Sequence, residues 1–372
     1  MTKRFSVFLT ALFCAFIGGM CAISIFLPKK EFSELENRYL KKFPKITVEE
    51  ISSGKLMENF EDYTADHIAG RDTWVALQAW CERLSGKQEN NSIYFGKHET
   101  LLNRLPDPDP ERLEQAAGYV NAFAENLDIP VYFGLIPSSA AIWADRLPKG
   151  APTADEQAVI ADFYAKLSCR TVNLYDALNQ HRDQDLYYRT DHHWTSLGAY
   201  YGYASLMESM GLEPVSLENL TPVTVTEDFN GTSFSSSGVR WLKPDSIQTY
   251  VPDDGLEVIS YFTGKPEQGS LYVEENLAKK DKYSYFLGGN QPLCVIKTQN
   301  TDAPKLLLVR DSYSDSLAPF LTQNFSEIHL FDLRYNKNSL KNYVQQNGID
   351  CAAALYSISN FVSSQDLFLL GM

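Results

Sequence analysis

The densest polar stretch of the chain contains two of its six histidines, in the run Tyr188-Arg189-Thr190-Asp191-His192-His193-Trp194-Thr195. In an extended segment alternate side chains share a face, so we expect Asp191 and His193 on one side and His192 on the other. A carboxylate that orients an imidazole fixes its tautomer and stabilises its charged form, as a general base in acyl transfer requires. A hydrogen-bond cluster at a helix entry and a metal site are the alternatives, although no further cluster with obvious ligand spacing completes a metal site.

A base of this kind needs a nucleophile, and Ser312 is the candidate. It follows the apolar run Lys305–Val309 and precedes a helix that we predict to start near Tyr313. A serine at the carboxyl end of a strand meets a helix N-terminus, whose free N–H groups stabilise an oxyanion. A serine before a helix is more often a simple cap, so the position alone leaves both interpretations open.

The oxyanion donors are expected to be the backbone N–H of Ser312 and the loop Asn230-Gly231-Thr232, since glycine permits close backbone approach. A plain turn is the alternative for that loop. Arg334 and Tyr335 follow a predicted strand and are candidates to contact a substrate, with a surface arginine as the alternative. The aromatic candidates for stacking on a substrate, or else for the core, are Tyr188, Trp194 and Trp241.

Helical and strand patterns alternate along the chain, which is typical of an α/β fold with a mostly parallel sheet between two helical layers. Ligands of such sheets bind at the carboxyl ends of the strands. The predicted helices are a segment starting at Asp109-Pro110, Ala154–Leu167 and Leu197–Met210, the last closed by Gly211. The predicted strands are Ile129–Ile136, Thr171–Leu174, Lys305–Val309, Ile328–Phe331 and Ala352–Tyr356.

The N-terminus carries an apolar run without charge, Phe5–Leu27, which is long enough to cross a bilayer. We predict an uncleaved signal anchor over residues 1–30 and an extracytoplasmic domain over residues 31–372; a cleaved signal peptide is the alternative. Pro28–Pro44 is predicted to be an irregular tether. Residues 220–300 are rich in Thr, Ser, Gly and Tyr and predict an insertion of loops and short antiparallel strands.

Charge and cysteine content narrow the function classes. Residues 1–30 hold four basic and no acidic side chains, so the remaining 29 basic and 47 acidic residues give a net charge of −18. Nucleic-acid binding, which needs a basic surface, is therefore disfavoured.

Four cysteines lie outside the apolar run and are equally compatible with buried thiols or with disulfides in several pairings: Cys81, Cys169, Cys294 and Cys351.

The segment TDHHWTSLGAYYGY resembles the signature of the bacterial DHHW family, which is similar to the alginate O-acetyltransferases with their SGNH-hydrolase-like domain. Other pieces agree in order: Glu36-Asn37-Arg38, the run YTADHIAGRD from Tyr63 to Asp72, Leu135-Ile136-Pro137, Leu147-Pro148 and Asp311-Ser312-Tyr313. The resemblance implies an SGNH-like three-layer α/β/α fold with permuted motif order. It also implies a catalytic triad of Ser312, His193 and Asp191.

The same resemblance implies an O-acetyltransferase that acts on cell-wall or secreted polysaccharide, without a metal or cofactor in the exported domain. With such a substrate, Arg334 and Tyr335 are expected to hold a sugar or the acetyl oxygen, and the aromatic candidates are expected to stack on a sugar. It implies a multi-pass membrane-bound O-acyltransferase as the partner that delivers acetyl across the bilayer. An acetyl esterase of the same fold and a non-catalytic polysaccharide-binding or assembly protein are the alternatives; a metal-dependent phosphoesterase fits less well. Arg310 replaces the glycine of the SGNH motif and Ser138 replaces a lysine of the alginate enzymes, so the substrate stays open.

Overall fold

A computed structural model describes residues 3–372, so the first two residues of the predicted anchor lie outside the described part. The described chain divides into two compact units. Unit 1 comprises the residues up to Asn90 together with Ser235–Trp241, and unit 2 comprises Asn91–Phe234 and Leu242–Met372. The proposed division into an anchor (1–30) and a single exported domain (31–372) stays a prediction.

Unit 1 is mainly helical. Its first helix is long and apolar enough to cross a bilayer by length and composition, which suits an anchor or a signal sequence alike. The elements in chain order are α1 Lys3–Phe26, β1 Phe32–Ser33, β2 Arg38–Tyr39, α2 Val48–Ser52, α3 Lys55–His67, α4 Arg71–Leu84 and β3 Glu89–Asn90.

An ion-pair cluster organises the segment after α1. The Arg38 guanidinium donates to Asp66 Oδ2 at 2.9 Å and to Glu36 at 2.7 Å, and Arg71 donates to Glu36 at 2.8 Å. Asp66 is buried, and charged pairs out of water need such hydrogen bonds to be stable. Two of the sequence motifs that resemble the DHHW family therefore meet here. The predicted irregular tether is wrong in part, because β1 and β2 pair antiparallel within it and the ion pairs fix it to α3 and α4.

Unit 2 is an α/β domain whose helices and strands alternate, as predicted. Its elements in chain order are β4 Ile93–Phe95, β5 Leu101–Asn103, α5 Pro110–Asn126, β6 Val131–Ile136, α6 Ser139–Ile142, α7 Glu156–Tyr164, β7 Arg170–Thr171, α8 Leu174–Asn179, α9 Ser196–Met210, β8 Val223–Phe229, α10 Thr232–Ser237 (where the division between the units falls), β9 Asp245–Thr249, β10 Glu257–Ser260, β11 Glu267–Gln268, β12 Leu293–Lys297, β13 Lys305–Arg310, α11 Ser314–Leu321, β14 Glu327–Phe331, α12 Leu340–Asn347, β15 Cys351–Ser357 and α13 Ile358–Ser363.

Eight strands form the main sheet in the order β11-β10-β12-β14-β13-β15-β6-β7. The five strands from β14 to β7 are parallel, and β12, β10 and β11 continue the sheet with antiparallel pairings. In the register, Val309 of β13 lies between Phe331 of β14 and Ala354 of β15. The carboxyl ends of the four central parallel strands therefore lie along one edge, where ligands of such sheets bind.

The central strands are buried on both faces, and their side chains alternate between two cores. Leu306 and Leu308 of β13 belong to one core with residues of α8, α9 and α11, whereas Leu307 and Val309 belong to the other with residues of α5, α7 and α12. Side chains of a strand point alternately to opposite faces, so the sheet is covered on both sides. The predicted three-layer, mostly parallel α/β architecture is confirmed.

Local sequence explains where α5 and α9 begin and where α9 ends. Asp109 caps α5 by accepting the Glu111 N–H, and Thr195 caps α9 by accepting the Gly198 N–H. Gly211 ends α9 with φ of 73°, the left-handed conformation that glycine tolerates. The predicted strand Thr171–Leu174 is wrong in extent, because pairing with β6 stops at Thr171 and Asn173 caps α8 instead.

The segment 220–300 contains short strands, turns and 3-10 helices. Strands β8 and β9 pair antiparallel with two register irregularities, while β10, β11 and β12 extend the main sheet. A separate small core of aromatic side chains packs around Phe229, Tyr283 and Phe286. This segment therefore supplies sheet strands as well as loops.

Candidate active site

Ser312 lies at the carboxyl end of β13, two residues before α11, and Asp311 fixes this turn. Asp311 Oδ1 accepts the Tyr313 N–H at 3.1 Å, and Oδ2 accepts the N–H and hydroxyl of Ser357 and the amide of Asn360. Ser357 ends the neighbouring strand β15. Four donors on one buried carboxylate therefore attach the Ser312 turn to the adjacent strand end.

The structure brings the three predicted triad residues together. His193 Nε2 lies 2.9 Å from Ser312 Oγ, and His193 Nδ1 lies 2.6 Å from Asp191 Oδ1. A carboxylate only accepts hydrogen bonds, so Nδ1 carries the imidazole proton and Nε2 accepts from the serine hydroxyl. This geometry matches a nucleophile, a general base and a carboxylate that orients the base.

Asp191 is buried and fully hydrogen-bonded. Its Oδ1 also accepts the His193 N–H at 2.9 Å, and its Oδ2 accepts the N–H and the hydroxyl of Thr232 at 2.7 and 2.9 Å. Burial raises the pKa of Asp191, but the two imidazoles and these hydrogen bonds outweigh it and hold the pKa well below its usual range. Asp191 is therefore ionised at neutral pH and stabilises a protonated His193.

His192 does not face away from the pair as the sequence predicts. Residues 189–193 bend, and the two imidazole rings lie 3.9 Å apart between centroids. Thr232 uses its hydroxyl proton towards Asp191, so His192 Nδ1, at 2.6 Å, donates to Thr232 Oγ1. Burial and the neighbouring His193 lower the pKa of His192, so this ring is neutral at neutral pH.

Gly231 has a different role from the one predicted. Its backbone N–H donates to Thr190 Oγ1 at 3.2 Å and is not available for an oxyanion. A Cβ at this position would lie 2.2 Å from the Asp191 Cβ. Gly231 therefore lets the loop approach Asp191 closely enough for Thr232 to hydrogen-bond it.

Among residues 3–372, the backbone N–H of Ser312 has no hydrogen-bond acceptor, which leaves it available as a donor beside Ser312 Oγ. The second predicted donor residue, Asn230, accepts a bond from Lys280 Nζ on its backbone oxygen, and its side-chain Oδ1 is buried without a partner in the same described range. No hydrogen bond in that range joins Asn230 to Ser312. The oxyanion role of Asn230 stays a prediction.

Tyr283 is a site residue that the sequence analysis missed. Its ring stacks on His193 with 3.8 Å between centroids and 11° between planes. Its hydroxyl donates to the Ser312 backbone oxygen at 3.1 Å and lies 3.0 Å from Ser316 Oγ. Tyr283 belongs to the 220–300 segment, where many tyrosines and a weak secondary-structure pattern gave no means to select it.

Trp194 and Tyr188 are buried, so the prediction that they stack on a sugar is wrong. Trp194 instead joins the two chemical motifs, because its indole N–H donates to the Tyr313 backbone oxygen at 2.8 Å and Tyr313 in turn donates to the His192 backbone oxygen. Tyr188 packs against Phe229 and Tyr283. The third stacking candidate, Trp241, belongs to unit 1, where its ring lies 4.7 Å from that of Trp80.

Arg334 is committed to an ion pair at the end of β14. Its guanidinium donates to both oxygens of the buried Asp332 at 2.9 and 2.7 Å and lies over the exposed ring of Tyr335. Binding of substrate by Arg334 and Tyr335 stays a prediction.

A second ion pair lies next to the Ser312 turn, where the fully buried Arg310 pairs with Asp315 at 2.8 Å. Burial, opposed by Arg310, raises the pKa of Asp315 to about 7.

Three side chains of this site could also bind a metal ion. Asp191, His192 and His193 have donor atoms that lie within 4.8 Å of one another. Both ring nitrogens of His193 are already hydrogen-bonded, to Asp191 and Ser312, so a metal ion here would displace these two hydrogen bonds.

All six cysteines are free thiols in the structure, and Cys294 is buried.

A family model described as DHHW protein matches residues 114–331. The chain belongs to the DHHW family. The matched range contains Asp191, His193 and Ser312. A search of curated proteins gives no match of significance.

Solved structures share the fold of this DHHW protein. A DHHW family protein from Eubacterium siraeum superimposes with a TM-score of 0.66 at 24% identity, over 76% of this chain and 95% of that one. Bacillus cereus PatB1, in a structure with a sulfonyl adduct, gives a TM-score of 0.62 at 22% identity over 75% and 98% of the two chains. The O-acetyltransferase domain of Pseudomonas putida AlgJ, at 13% identity and a TM-score of 0.47 over 74% and 94%, is too distant to support a conclusion about the site.

Proposed function

We propose that the protein is a serine O-acyltransferase that moves acetyl groups onto a cell-wall or secreted polysaccharide. The observation that carries the proposal is the continuous hydrogen-bond chain from Asp191 through His193 to Ser312 at the carboxyl edge of the sheet. Acetyl as the group and polysaccharide as the acceptor come from the resemblance to the alginate O-acetyltransferases. The N-terminal helix fits a membrane anchor that keeps the domain outside the cytoplasm.

In the first half of the proposed reaction, Ser312 Oγ attacks the acyl carbonyl carbon while His193 Nε2 takes the serine proton. Asp191 stabilises the imidazolium, and the free Ser312 N–H is placed to donate to the developing oxyanion. When the tetrahedral intermediate breaks down, the bond to the donor's leaving group breaks and His193 returns the proton to that group. The product is an acetyl ester on Ser312.

In the second half, His193 removes the proton of an acceptor hydroxyl, whose oxygen attacks the acetyl carbon. The bond to Ser312 Oγ then breaks and the serine recovers a proton from His193. With water as acceptor the same steps give an esterase. Because acetyl-coenzyme A is cytoplasmic, the transferase reaction outside the cell requires a donor system in the membrane, and we propose a multi-pass membrane-bound O-acyltransferase as the partner.

The test is to treat the full-length protein in detergent with an arylsulfonyl fluoride, which reacts with activated serines, and to locate the adduct by mass spectrometry. We expect one adduct on Ser312 that is lost in Ser312→Ala and falls by a factor of about 100 or more in His193→Ala. Ser314→Ala is the matched control, since Ser314 is a buried serine two residues away whose hydroxyl has no partner among residues 3–372.

Turnover separates the related activities. A chromogenic acetyl ester is supplied with and without oligosaccharide acceptors, and free acetate and acetylated sugar are measured. Transfer to sugar supports the transferase, and acetate release alone supports an esterase. Activity that survives Ser312→Ala would contradict the triad, loss on chelation would favour metal chemistry, and an inert protein without any adduct would favour a binding or assembly role.

A further inference from the structure

Unit 1 exposes apolar side chains on the segment between α1 and α4. We define the juxtamembrane patch as the six apolar side chains Phe43, Ile46, Val48, Ile51, Met57 and Phe60. Their exposed fractions run from 41% at Phe60 to 83% at Val48, although these residue types are usually buried. Six large apolar side chains exposed within residues 43–60 of a folded unit indicate an interaction surface.

The patch is fixed to the end of the apolar helix by contacts within unit 1. Lys29, three residues after α1, places its ammonium 5.8 Å from the ring centroid of Tyr63. The Phe43 ring packs edge-on against Tyr63 and Phe60, with centroids 5.2 and 6.2 Å apart. Closer to the helix, the Ala69 N–H donates to Ser24 Oγ of α1 at 2.9 Å. The patch therefore lies at the point where α1 would leave a membrane.

The basic charge lies in the chain that leads from α1 into the patch, since the patch range 43–60 itself holds two basic and three acidic side chains. Residues 29–45 contain six basic side chains and three acidic ones, whereas the full chain carries a net charge of −14. Lys42 and Lys45 flank Phe43 and are exposed, and no salt bridge engages either of them within residues 3–372. Glu49 and Glu50 follow in the first turn of α2. Lysines interleaved with aromatic and aliphatic side chains are typical of surfaces that bind anionic lipid headgroups.

We propose that the juxtamembrane patch docks into the headgroup region of the outer leaflet, with Lys42 and Lys45 at the phosphates of anionic lipids and Phe43 and Ile46 among the acyl-chain ends. The inference rests on the membrane location that is part of the proposed function. It adds that the segment after α1 is seated on the bilayer, so that the anchor holds unit 1 against the membrane surface.

The test places the photo-crosslinking amino acid benzoylphenylalanine at position 43, and separately at position 46, in the full-length protein in lipid nanodiscs. After irradiation, lipid adducts are counted by mass spectrometry. We expect about tenfold more adduct at either position than at Tyr335, an exposed aromatic control in unit 2. Adducts no more frequent than at Tyr335, or adducts whose mass is that of a second protein chain, would overturn the proposal.

The lipid headgroup is varied in a second arm. In nanodiscs with phosphatidylglycerol, Lys42→Glu combined with Lys45→Glu should lower the adduct yield by about tenfold, and it should have little effect in pure phosphatidylcholine. An equal yield in wild type and variant with both lipids would overturn the role of the lysines. Position 46 remains informative if the probe at 43 disturbs the ring cluster.

The same samples distinguish this inference from the proposed function. Sulfonyl labelling of Ser312 reports the triad, and the intact mass reports whether α1 is retained. Lipid adducts on a protein whose Ser312 is unreactive would support the patch and contradict the enzyme. A reactive Ser312 without lipid adducts would support the enzyme and overturn the patch.

Discussion

Three contacts fix the position of the His193 imidazole. Asp191 accepts its Nδ1 proton, Ser312 lies at Nε2, and Tyr283 covers one face of the ring. The same tyrosine hydroxyl donates to the backbone of the serine, so one residue contacts both reacting partners. Under the proposed mechanism Tyr283 is a positioning residue, and its ring and hydroxyl make separate contacts.

Two substitutions at Tyr283 separate these roles. Tyr283→Phe keeps the stacked ring and removes the hydroxyl bonds, so kcat/KM for an acetyl ester should fall by about tenfold or less. Tyr283→Leu also removes the ring face and should lower kcat/KM by roughly 100-fold, because the imidazole loses its fixed plane.

The measurement pairs ester kinetics with thermal unfolding of the same variants. A positioning role requires the loss of activity in Tyr283→Leu to exceed what its change in Tm explains. If Tyr283→Leu reacts at the wild-type rate, or if both variants lose activity only through unfolding, the stacking contact has no catalytic importance.

Helix α9 packs closely against Trp194, the last residue of the Asp-His-His-Trp motif. Trp194 precedes the helix and packs on it where two glycines leave room, since a Cβ at Gly202 would lie 2.7 Å from the Trp194 ring and one at Gly198 would lie 2.2 Å from the Leu186 oxygen. The indole then reaches the Tyr313 backbone. These glycines serve helix packing and explain why a helix former is absent at both positions.

A pair of alanine substitutions tests this role. Gly118→Ala on α5 meets nothing within 4 Å and should raise the free energy of unfolding by roughly 0.5–1 kcal/mol, the usual helix preference of alanine over glycine. Gly202→Ala on α9 should lower it by roughly 1–3 kcal/mol, because the added methyl overpacks the Trp194 ring.

Thermal unfolding of the full-length protein in one detergent gives the sign of both changes. Gly202→Ala should also slow sulfonyl labelling of Ser312, because Trp194 supports the turn beside it, whereas Gly118→Ala should leave labelling at the wild-type rate. Stabilisation by both alanines would show that the space at Gly202 is not needed.

Across the molecule, buried acids make stability depend on pH. Burial raises the pKa of Glu156 to about 7, opposed by the N–H and hydroxyl of Ser138, which donate to its two oxygens. The folded state therefore binds a proton that the unfolded state releases above about pH 4.5. The stability that this proton provides is complete below that pH and is lost as pH rises to about 7. Asp315 contributes in the same direction.

Glu156→Gln removes the titration of this group and leaves that of Asp315. Between pH 5 and pH 8 the stability of the variant relative to wild type should improve by about 2.5 kcal/mol, because most of this titration falls between the two pH values. Unfolding measured at the two pH values gives the difference. Glu125→Gln, an exposed glutamate on α5, is the control, and a Glu156→Gln curve parallel to wild type at both pH values would contradict the buried-acid assignment.

Local patterns in the sequence were sufficient for the layers and for the types of chemistry. Caps and glycines marked the ends of α5 and α9, and short apolar runs marked β6, β13, β14 and β15, because burial on both faces of a sheet needs continuous apolar side chains. The adjacent Asp191, His192 and His193 were visible because a polar cluster beside an apolar helix stands out. The predicted strand Thr171–Leu174 is wrong in extent, because a short apolar run is compatible with a strand, a turn or the start of a helix.

Only the tertiary structure decided which residues meet. Ser312 is 119 residues from His193 in sequence, and their hydrogen bond exists because the segment before α9 meets the carboxyl end of β13, where Trp194 and Tyr313 join the two. Contacts from the 220–300 segment, such as Tyr283 on His193 and Thr232 on Asp191, carry no local period that sequence could reveal. Burial of Trp194 and Tyr188, and the bend that brings His192 beside His193, likewise follow from packing between distant elements. Sequence determines which groups can react, and the assembled sheet determines which of them are close enough to do so.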